Sequence, residues 1–165
     1  EDMFDKSFDL IIQDINQLKL KGLVIPFIHF SAHGNEDGIG LSNNDFLHWE
    51  VLRSKIDKIN SEVGKITLPD FDKLERSRLH LCFSVCNGFH ASQIQGDYKE
   101  NKYTLLIGPT KEVDWSDSLL AFTTLYHQIF HKGTKAVPAV RNMNLAAGLD
   151  NVFQLSPGYG NNFTE

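Results

Sequence analysis

Three dense runs of branched and aromatic residues constrain the fold of this chain most strongly. The first two cover residues 23–31 (LVIPFIHFS) and 79–85 (LHLCFSV). Such runs, without regular polar alternation, are typical of strands that are buried on both faces of a parallel sheet. The third run, residues 103–107 (YTLLI), has the same character and is closed by Gly108 and Pro109. The sequence therefore predicts a central sheet that contains these three strands.

Segments with apolar residues at helical spacing alternate with the three runs. The predicted helices cover residues 4–18, 47–59, 115–130 and 134–149. The sequence also predicts a glycine-rich loop at residues 34–40, a connector around Pro69, and a last short strand at residues 152–155 followed by a loose turn. Strands that alternate with helices imply right-handed crossovers and a parallel sheet covered on both faces. The predicted fold class is α/β, a three-layer sandwich with a mostly parallel central sheet flanked by helices.

Length and charge narrow the possible functions. The 165 residues fit one compact domain over 1–165. The formal net charge is -5 and the 16 Lys and Arg residues are scattered, which disfavours a surface that binds nucleic acid directly. No apolar run approaches the roughly 20 residues of a membrane-spanning helix, so no membrane partner is expected.

The two cysteines indicate a reducing compartment. Cys82 and Cys86 are too close in sequence for a disulfide framework, and no signal-peptide pattern precedes them. We therefore expect a cytoplasmic protein. Because the chain begins at Glu1 without an initiator Met, we also expect it to be a segment of a longer protein.

Two predicted strands end in residues that carry chemistry. The segment 27–34 (FIHFSAHG) ends in His-Gly, and the segment 79–88 (LHLCFSVCNG) ends in Cys-Asn-Gly. Because function gathers at the carboxyl ends of strands in such sheets, His33 and Cys86 are predicted to lie over one edge. A nearby imidazolium or helix N-terminus lowers the pKa of a thiol from its usual value of about 8.5. Residues 87–94 are predicted to begin a helix whose positive end faces the sulfur.

The spacing of these residues leads to a family resemblance. His33 precedes Cys86 by 53 residues, close to the separation of about 50 between the histidine and the nucleophile of caspases. At these positions the chain resembles the caspase-like cysteine proteases, and most closely the CHAT domains, bacterial caspase-like peptidases often found beside TPR repeats. The likeness covers nearly the whole chain from residue 23 onward and is carried by FSAHG, DGIGL, FSVCNG and LLIGPTKEVDWSDSLLAFTTLYHQIFHKG. The last block is similar to a family segment in which a strand ends near an aromatic and an acidic residue and a helix follows. The matching residues here are Trp115, Asp117, Tyr126 and Gly133.

The resemblance implies a cysteine endopeptidase that hydrolyses peptide bonds of a protein partner. It implies Cys86 as the nucleophile and His33 as the general acid and base, with a thioester acyl-enzyme as the intermediate. The backbone N–H groups of Gly34 and Cys86 are implied as the donors that stabilise the oxyanion. The resemblance also implies a regulated bacterial effector module, controlled by an upstream sensor domain or a partner. No cofactor or metal is expected.

The residues that set substrate preference are less defined. Caspases carry Gln-Ala before the nucleophile, whereas this chain has Ser84-Val85, so cleavage after Asp has no support. Asp114 and Asp117 are candidate substrate-binding residues, because a carboxylate pairs with Arg or Lys. The alternative is that they cap the helix that follows. Arg141 is an alternative candidate that would accept an acidic group.

Two other functions stay open. A caspase-like module without catalytic activity, serving as a scaffold or binding module, would have the same fold. A zinc-binding domain is the second, since the chain contains His80, Cys82, Cys86 and His90. On a strand, however, successive same-face residues lie about 6 to 7 Å apart, which is too extended to converge on one metal. The pair His127 and His131 lacks the Glu of an HExxH motif.

Two further side chains on the strands are predicted to be structural. Cys82 is expected to pack inside the sheet as a small apolar residue with no reactive role. His29 shares a strand face with Ser31 and His33 but lies deeper, and it is predicted to be a core histidine with satisfied hydrogen bonds.

Overall fold

In the described part of the chain, residues 2–64, 66–67, 75–96 and 101–158, helices flank a central four-stranded sheet in the computed structural model. The α-helices are α1 (Asp2–Lys19), α2 (Trp49–Val63), α3 (Trp115–Tyr126) and α4 (Ala136–Ala146). The strands are β1 (Phe27–Ser31), β2 (His33–Asn35), β3 (Gly38–Gly40), β4 (Phe46–His48), β5 (Ile66–Thr67), β6 (Glu75–Arg76), β7 (His80–Ser84), β8 (Leu105–Pro109) and β9 (Phe153–Pro157). A 3₁₀ helix spans Gly88–Gln95, and a π-helical turn spans His127–His131. The predicted connector around Pro69 lies outside the described residues.

The central sheet has the order β1-β7-β8-β9 and is mostly parallel. β1, β7 and β8 run in the same direction, and β9 pairs antiparallel with β8. All three predicted apolar runs therefore supply neighbouring parallel strands. This arrangement confirms the predicted α/β class and the mostly parallel central sheet.

Helices cover both faces of the sheet and form the outer layers. On one face, Ile28 and Phe30 of β1 and Phe83 of β7 share a core with α1 and α2. On the other face, Cys82 and Ile107 share a core with α3 and α4. Neighbouring residues of β7 thus enter opposite cores, because successive side chains of a strand point to opposite faces. Within the described ranges, every helix is too short or too polar to traverse a bilayer.

The glycine-rich segment predicted as a loop at residues 34–40 is instead part of a β-hairpin. β2 pairs antiparallel with β3, and β4 extends this small sheet. A Cβ at Gly38 would lie 2.2 Å from the Leu47 carbonyl oxygen, so only glycine allows β3 and β4 to approach this closely. Ile39 is buried in the core beside it and anchors the hairpin. The loop prediction was wrong because these glycines permit close strand pairing.

Other predicted boundaries shift by a few residues. β1 begins at Phe27, directly after Pro26, whose nitrogen cannot donate a sheet hydrogen bond. β8 continues through Gly108 and Pro109 because both pair with β9. β9 extends to Pro157, where the sequence predicted a loose turn. The helix predicted at residues 115–130 is α3 continued by the π-helical turn.

Asn144 ties α4 to β9 and provides a test of the fold. Its Nδ2 donates to the carbonyl oxygens of Val140 and Phe153, each at 2.9 Å, and its Oδ1 accepts from the Phe153 N–H at 2.8 Å. We predict that Asn144→Ala lowers the free energy of unfolding by about 2 to 4 kcal/mol, because it removes the partners of buried backbone groups. Urea denaturation measures the loss. The control is Asn142→Ala on the same helix, and equal stability of the two variants would contradict the prediction.

Candidate functional site

Parallel pairing of β1 with β7 brings the two predicted catalytic residues to the same edge of the sheet. Each residue of β1 lies opposite the residue 53 positions later, ending with Ser31 opposite Ser84. His33 and Cys86 are separated by the same 53 positions, and each lies two residues past that last pair. The register therefore carries both residues to equivalent positions beyond the carboxyl ends of two neighbouring strands.

Gly34 keeps the two segments in contact beyond the sheet. A Cβ at this position would lie 2.3 Å from Cγ1 of Val85 and 2.6 Å from the carbonyl oxygen of Gly38. It would also lie 3.6 Å from the carbonyl oxygen of Cys86. The glycine thus lets the backbone that follows His33 pack on the backbone of Cys86. The predicted oxyanion donors, the N–H groups of Gly34 and Cys86, belong to these two touching segments.

Cys86 lies in the turn that leads from β7 into the 3₁₀ helix. Its side chain is half-buried, and its thiol donates a hydrogen bond to the Val113 carbonyl oxygen, 3.8 Å from Sγ. The next residue, Asn87, adopts the left-handed conformation with φ 58°, which starts the turn. The helix predicted at residues 87–94 is observed as the 3₁₀ helix that begins at Gly88. As a residue of intermediate burial, Cys86 is partly open to solvent.

His33 is exposed at the start of the hairpin. Its ring packs edge-on against Trp115, with ring centroids 5.7 Å apart and planes at 88°. Trp115 begins α3 and lies two residues after Val113, which accepts the hydrogen bond from the thiol. The segment 113–115 therefore contacts both predicted catalytic side chains. No hydrogen bond joins the His33 ring to the Cys86 thiol in the described structure.

A cavity of 310 Å³ adjoins this edge of the sheet. Its wall includes Ser31 and Ser84, each two residues before a predicted catalytic residue. The wall also includes Trp115, whose indole contacts the His33 ring. The cavity therefore opens beside the two predicted catalytic residues, between β1 and α3.

His29 lies at the centre of a hydrogen-bond chain in this cavity. Its Nδ1 is 2.7 Å from the Tyr126 hydroxyl, and its Nε2 is 2.8 Å from Oγ of Ser84. The prediction of a core position for His29 was wrong, because its side chain is exposed at the cavity, although its hydrogen bonds are satisfied. The rings of Phe122 and Tyr126 that pack on it partly desolvate the imidazole and lower the pKa of His29. The sequence signal for this role is the shared strand face of residues 29, 31 and 33.

Asp114 and Asp117 lie at the start of α3. Asp114 is the residue before the helix, and its side chain makes no capping hydrogen bond. Asp117 lies in the first turn, where a carboxylate interacts favourably with the positive end of the helix. Neither carboxylate lines the 310 Å³ cavity. Arg141 is exposed on α4. Substrate binding by any of the three residues stays a prediction.

The side chains considered as zinc ligands are dispersed. Cys82 is fully buried, His80 is half-buried and stacks on a phenylalanine ring of β1, and His90 is exposed. His127 and His131 lie on the π-helical turn with ring centroids 5.1 Å apart. Among the residues that the structure describes, no group of three or more His, Cys, Asp or Glu side chains is placed to hold a metal ion.

Comparison of the chain with protein-family models and with curated proteins finds no match. Two of the residues that carry the resemblance, His33 and Cys86, follow the edge of the sheet where β1 and β7 end.

We predict that the two cysteines differ sharply in reactivity. Burial raises the pKa of the Cys82 thiol to about 12 and removes it from solvent, whereas Cys86 is half-buried. In the folded chain at neutral pH, iodoacetamide should label Cys86 alone, and both thiols should react in concentrated urea. Peptide mass spectrometry locates the label. Comparable labelling of Cys82 in the folded chain would show that the described burial is wrong.

We predict that Gly34→Ala destabilises the site. The added Cβ would collide with the backbone of Gly38 and with Val85, and overpacking of this kind costs about 1 to 3 kcal/mol. The matched control is Gly40→Ala in the same hairpin, where the nearest atom would lie 3.7 Å away. Chemical denaturation of the two variants measures the difference. A Gly34→Ala variant as stable as Gly40→Ala would refute the close approach.

Proposed function

We propose that this chain is a caspase-like cysteine endopeptidase domain of the CHAT type. The observation that carries the proposal is the common register: the 53-residue offset that pairs β1 with β7 also separates His33 from Cys86. The described α/β fold, with helices on both faces of a mostly parallel sheet, supports a caspase-like sandwich. The half-buried thiol and the exposed imidazole beside a cavity give a polypeptide access to both groups.

In the proposed reaction, His33 takes the proton of the Cys86 thiol as Sγ attacks the carbonyl carbon of the substrate. The carbonyl oxygen becomes an oxyanion, which the backbone N–H groups of Gly34 and Cys86 stabilise. His33 then gives the proton to the departing amine, the C–N bond breaks, and a thioester to Cys86 remains. Water attacks this thioester while His33 takes one of its protons. The carboxylic acid product leaves, and the proton returns to the thiol.

The segment 113–115 contributes to this site by holding both groups. The Val113 carbonyl oxygen accepts a hydrogen bond from the thiol, and the Trp115 ring holds the imidazole edge-on. Catalytic hydrogen bonds are often long in the free enzyme and shorten when substrate binds. On this account, substrate binding moves the thiol from Val113 toward His33. Control by an upstream sensor domain or a partner in a bacterial cell belongs to the same proposal and comes from the family resemblance. A cytoplasmic location also belongs to it, because the two cysteines are too close in sequence for a disulfide framework.

The second candidate is an inactive caspase-like scaffold or binding module. One observation favours it: the Cys86 thiol is bonded to the Val113 carbonyl oxygen, and no hydrogen bond joins it to the described His33 ring. A module of this kind would bind peptides at the cavity and release them intact. The two candidates therefore differ in a single measurable property, which is peptide-bond cleavage.

A peptide-library cleavage screen tests the proposal. We expect the wild-type chain to cleave library peptides and Cys86→Ala to lose more than about 1,000-fold in kcat/KM, as when other enzymes lose a nucleophile. His33→Ala should lose activity comparably, because the two residues act as a unit. Cys82→Ala is the matched control, since this thiol is buried in the core, and it should retain cleavage.

The outcomes separate the two candidates. Peptide binding without cleavage in the wild-type chain, together with failure of a peptidyl electrophile to label Cys86, would replace the protease with the scaffold. Cleavage that survives Cys86→Ala would place the chemistry elsewhere and overturn the dyad.

A further inference from the structure

The 310 Å³ cavity contains features that the dyad does not use. It opens beside His33, because Trp115 belongs to its wall and contacts the His33 ring. Ser84, also in the wall, is two residues before Cys86. A polypeptide whose scissile carbonyl reaches Cys86 would therefore have a neighbouring side chain within reach of this cavity.

The described wall of the cavity has no permanently charged side chain. Among the residues that the structure describes, no Asp, Glu, Lys or Arg lines the cavity, and the imidazole there is that of His29. The groups in contact with His29 are the hydroxyls of Tyr126 and Ser84 and the ring of Phe122, so no carboxylate of the described residues favours its charged form. A charged substrate side chain would lose water in this cavity without gaining a counter-ion, which is costly.

The cavity is aromatic as well as neutral. Trp115, Phe122 and Tyr126 all contribute to its wall. Aromatic side chains pack favourably with one another in edge-to-face or offset arrangements, and they bury large areas. A volume of 310 Å³ leaves room for a large side chain. The size and the lining both favour an aromatic occupant.

Among the described residues of the wall, one buried side-chain polar atom has no hydrogen-bond partner. Ser118 lines the cavity from α3, is 2% exposed, and its Oγ makes no hydrogen bond. By contrast, the polar atoms of His29 are already bonded to Tyr126 and Ser84. A buried hydroxyl without a partner is costly, and a ligand that supplies a hydrogen-bonding group would remove that cost. Among the described residues of the wall, Ser118 is therefore the one whose buried hydroxyl would gain a partner from the polar end of an occupant.

From these observations we infer that the cavity binds the side chain on the amino side of the cleaved bond, and that it selects tyrosine, whose phenol pairs with Ser118. The inference rests on the proposed function and adds the substrate class. The chain would then cut after neutral aromatic residues and not after Arg, Lys or Asp. It would leave Asp114 and Asp117 without a role in selecting a basic residue at this position.

The test uses four peptides that differ only in the residue before the cleaved bond, namely Tyr, Phe, Arg or Asp. Cleavage is measured with the wild-type chain, and binding of the uncut peptides is measured calorimetrically with Cys86→Ala. We expect kcat/KM for Tyr to exceed that for Arg and Asp by at least about 100-fold, the scale on which a site rejects a group that it cannot pair. We expect the same order in the binding measurement.

Two variants connect the preference to named side chains. Ser118→Ala should lower the Tyr-to-Phe ratio of kcat/KM about fivefold, the contribution of a typical hydrogen bond. Leu119→Asp places a carboxylate in the cavity wall at a side chain that is 71% exposed, and it should raise the relative cleavage after Arg. Leu120→Asp, at the next residue and outside the lining, is the matched control and should leave the preference unchanged.

The outcomes distinguish the inference from the proposed function. Cys86-dependent cleavage that prefers Arg or Asp would overturn the tyrosine preference and leave the protease intact. Binding of the Tyr peptide without cleavage would support the cavity and overturn the protease. If the Tyr peptide is neither cleaved nor bound, both the tyrosine preference and the protease would be overturned. An unchanged Tyr-to-Phe ratio in Ser118→Ala would remove the role of this hydroxyl.

Discussion

The register between β1 and β7 is the constraint on which the rest of the site depends. Ile28 and Phe30 of β1 face the core with α1 and α2, and Phe30 stacks on Phe83 of β7 with ring centroids 4.8 Å apart. A shift of one residue would turn these apolar side chains toward solvent and bury His29 and Ser31 in their place. Burial on one face therefore fixes the pairing, and the pairing brings His33 and Cys86 to the same edge. The site is a consequence of how the core packs.

The two faces of β1 differ: one packs in the core and the other faces the cavity. The face toward α1 and α2 is apolar and closely packed, as seen at Phe30. The opposite face presents His29 and Ser31 to a cavity, and α3 supplies the other wall with Trp115 and Ser118. Because β1 is at the edge of the sheet, this side remains open. A strand with one buried face and one open face can thus border a cavity while its apolar side chains stay in the core.

The sequence predicted the parts of the fold that depend on local apolar patterns. The three apolar runs became neighbouring parallel strands, and the helical spacing at residues 4–18 became α1. The predictions from the sequence were wrong where tertiary contacts determine the structure. The glycines at 34–40 suggest a loop in isolation, but close approach to Val85 and Leu47 turns them into strand positions. β9 likewise extends to Pro157 because β8 is beside it.

The candidate site was also predicted only in part: the sequence indicates the two catalytic residues but not the cavity beside them. The separation of 53 residues between His33 and Cys86 equals the offset at which β1 pairs with β7. A sequence alone, however, does not show that the two strands pair with that offset. The cavity could not be predicted, because it needs His29 from β1, Ser84 from β7 and Tyr126 from α3 at once. The sequence pattern therefore predicts a core position for His29. When residues of three separate elements come together only in the folded chain, the sequence pattern gives little indication that they are neighbours.

The most direct test of the central claim is a crystal structure of the chain after reaction with a tyrosyl-peptide electrophile. The account predicts a covalent bond to Sγ of Cys86, the His33 ring within hydrogen-bonding distance of the reacting centre, and the tyrosine side chain between β1 and α3. An electrophile bound to another residue, or a His33 ring turned away from the adduct, would contradict it.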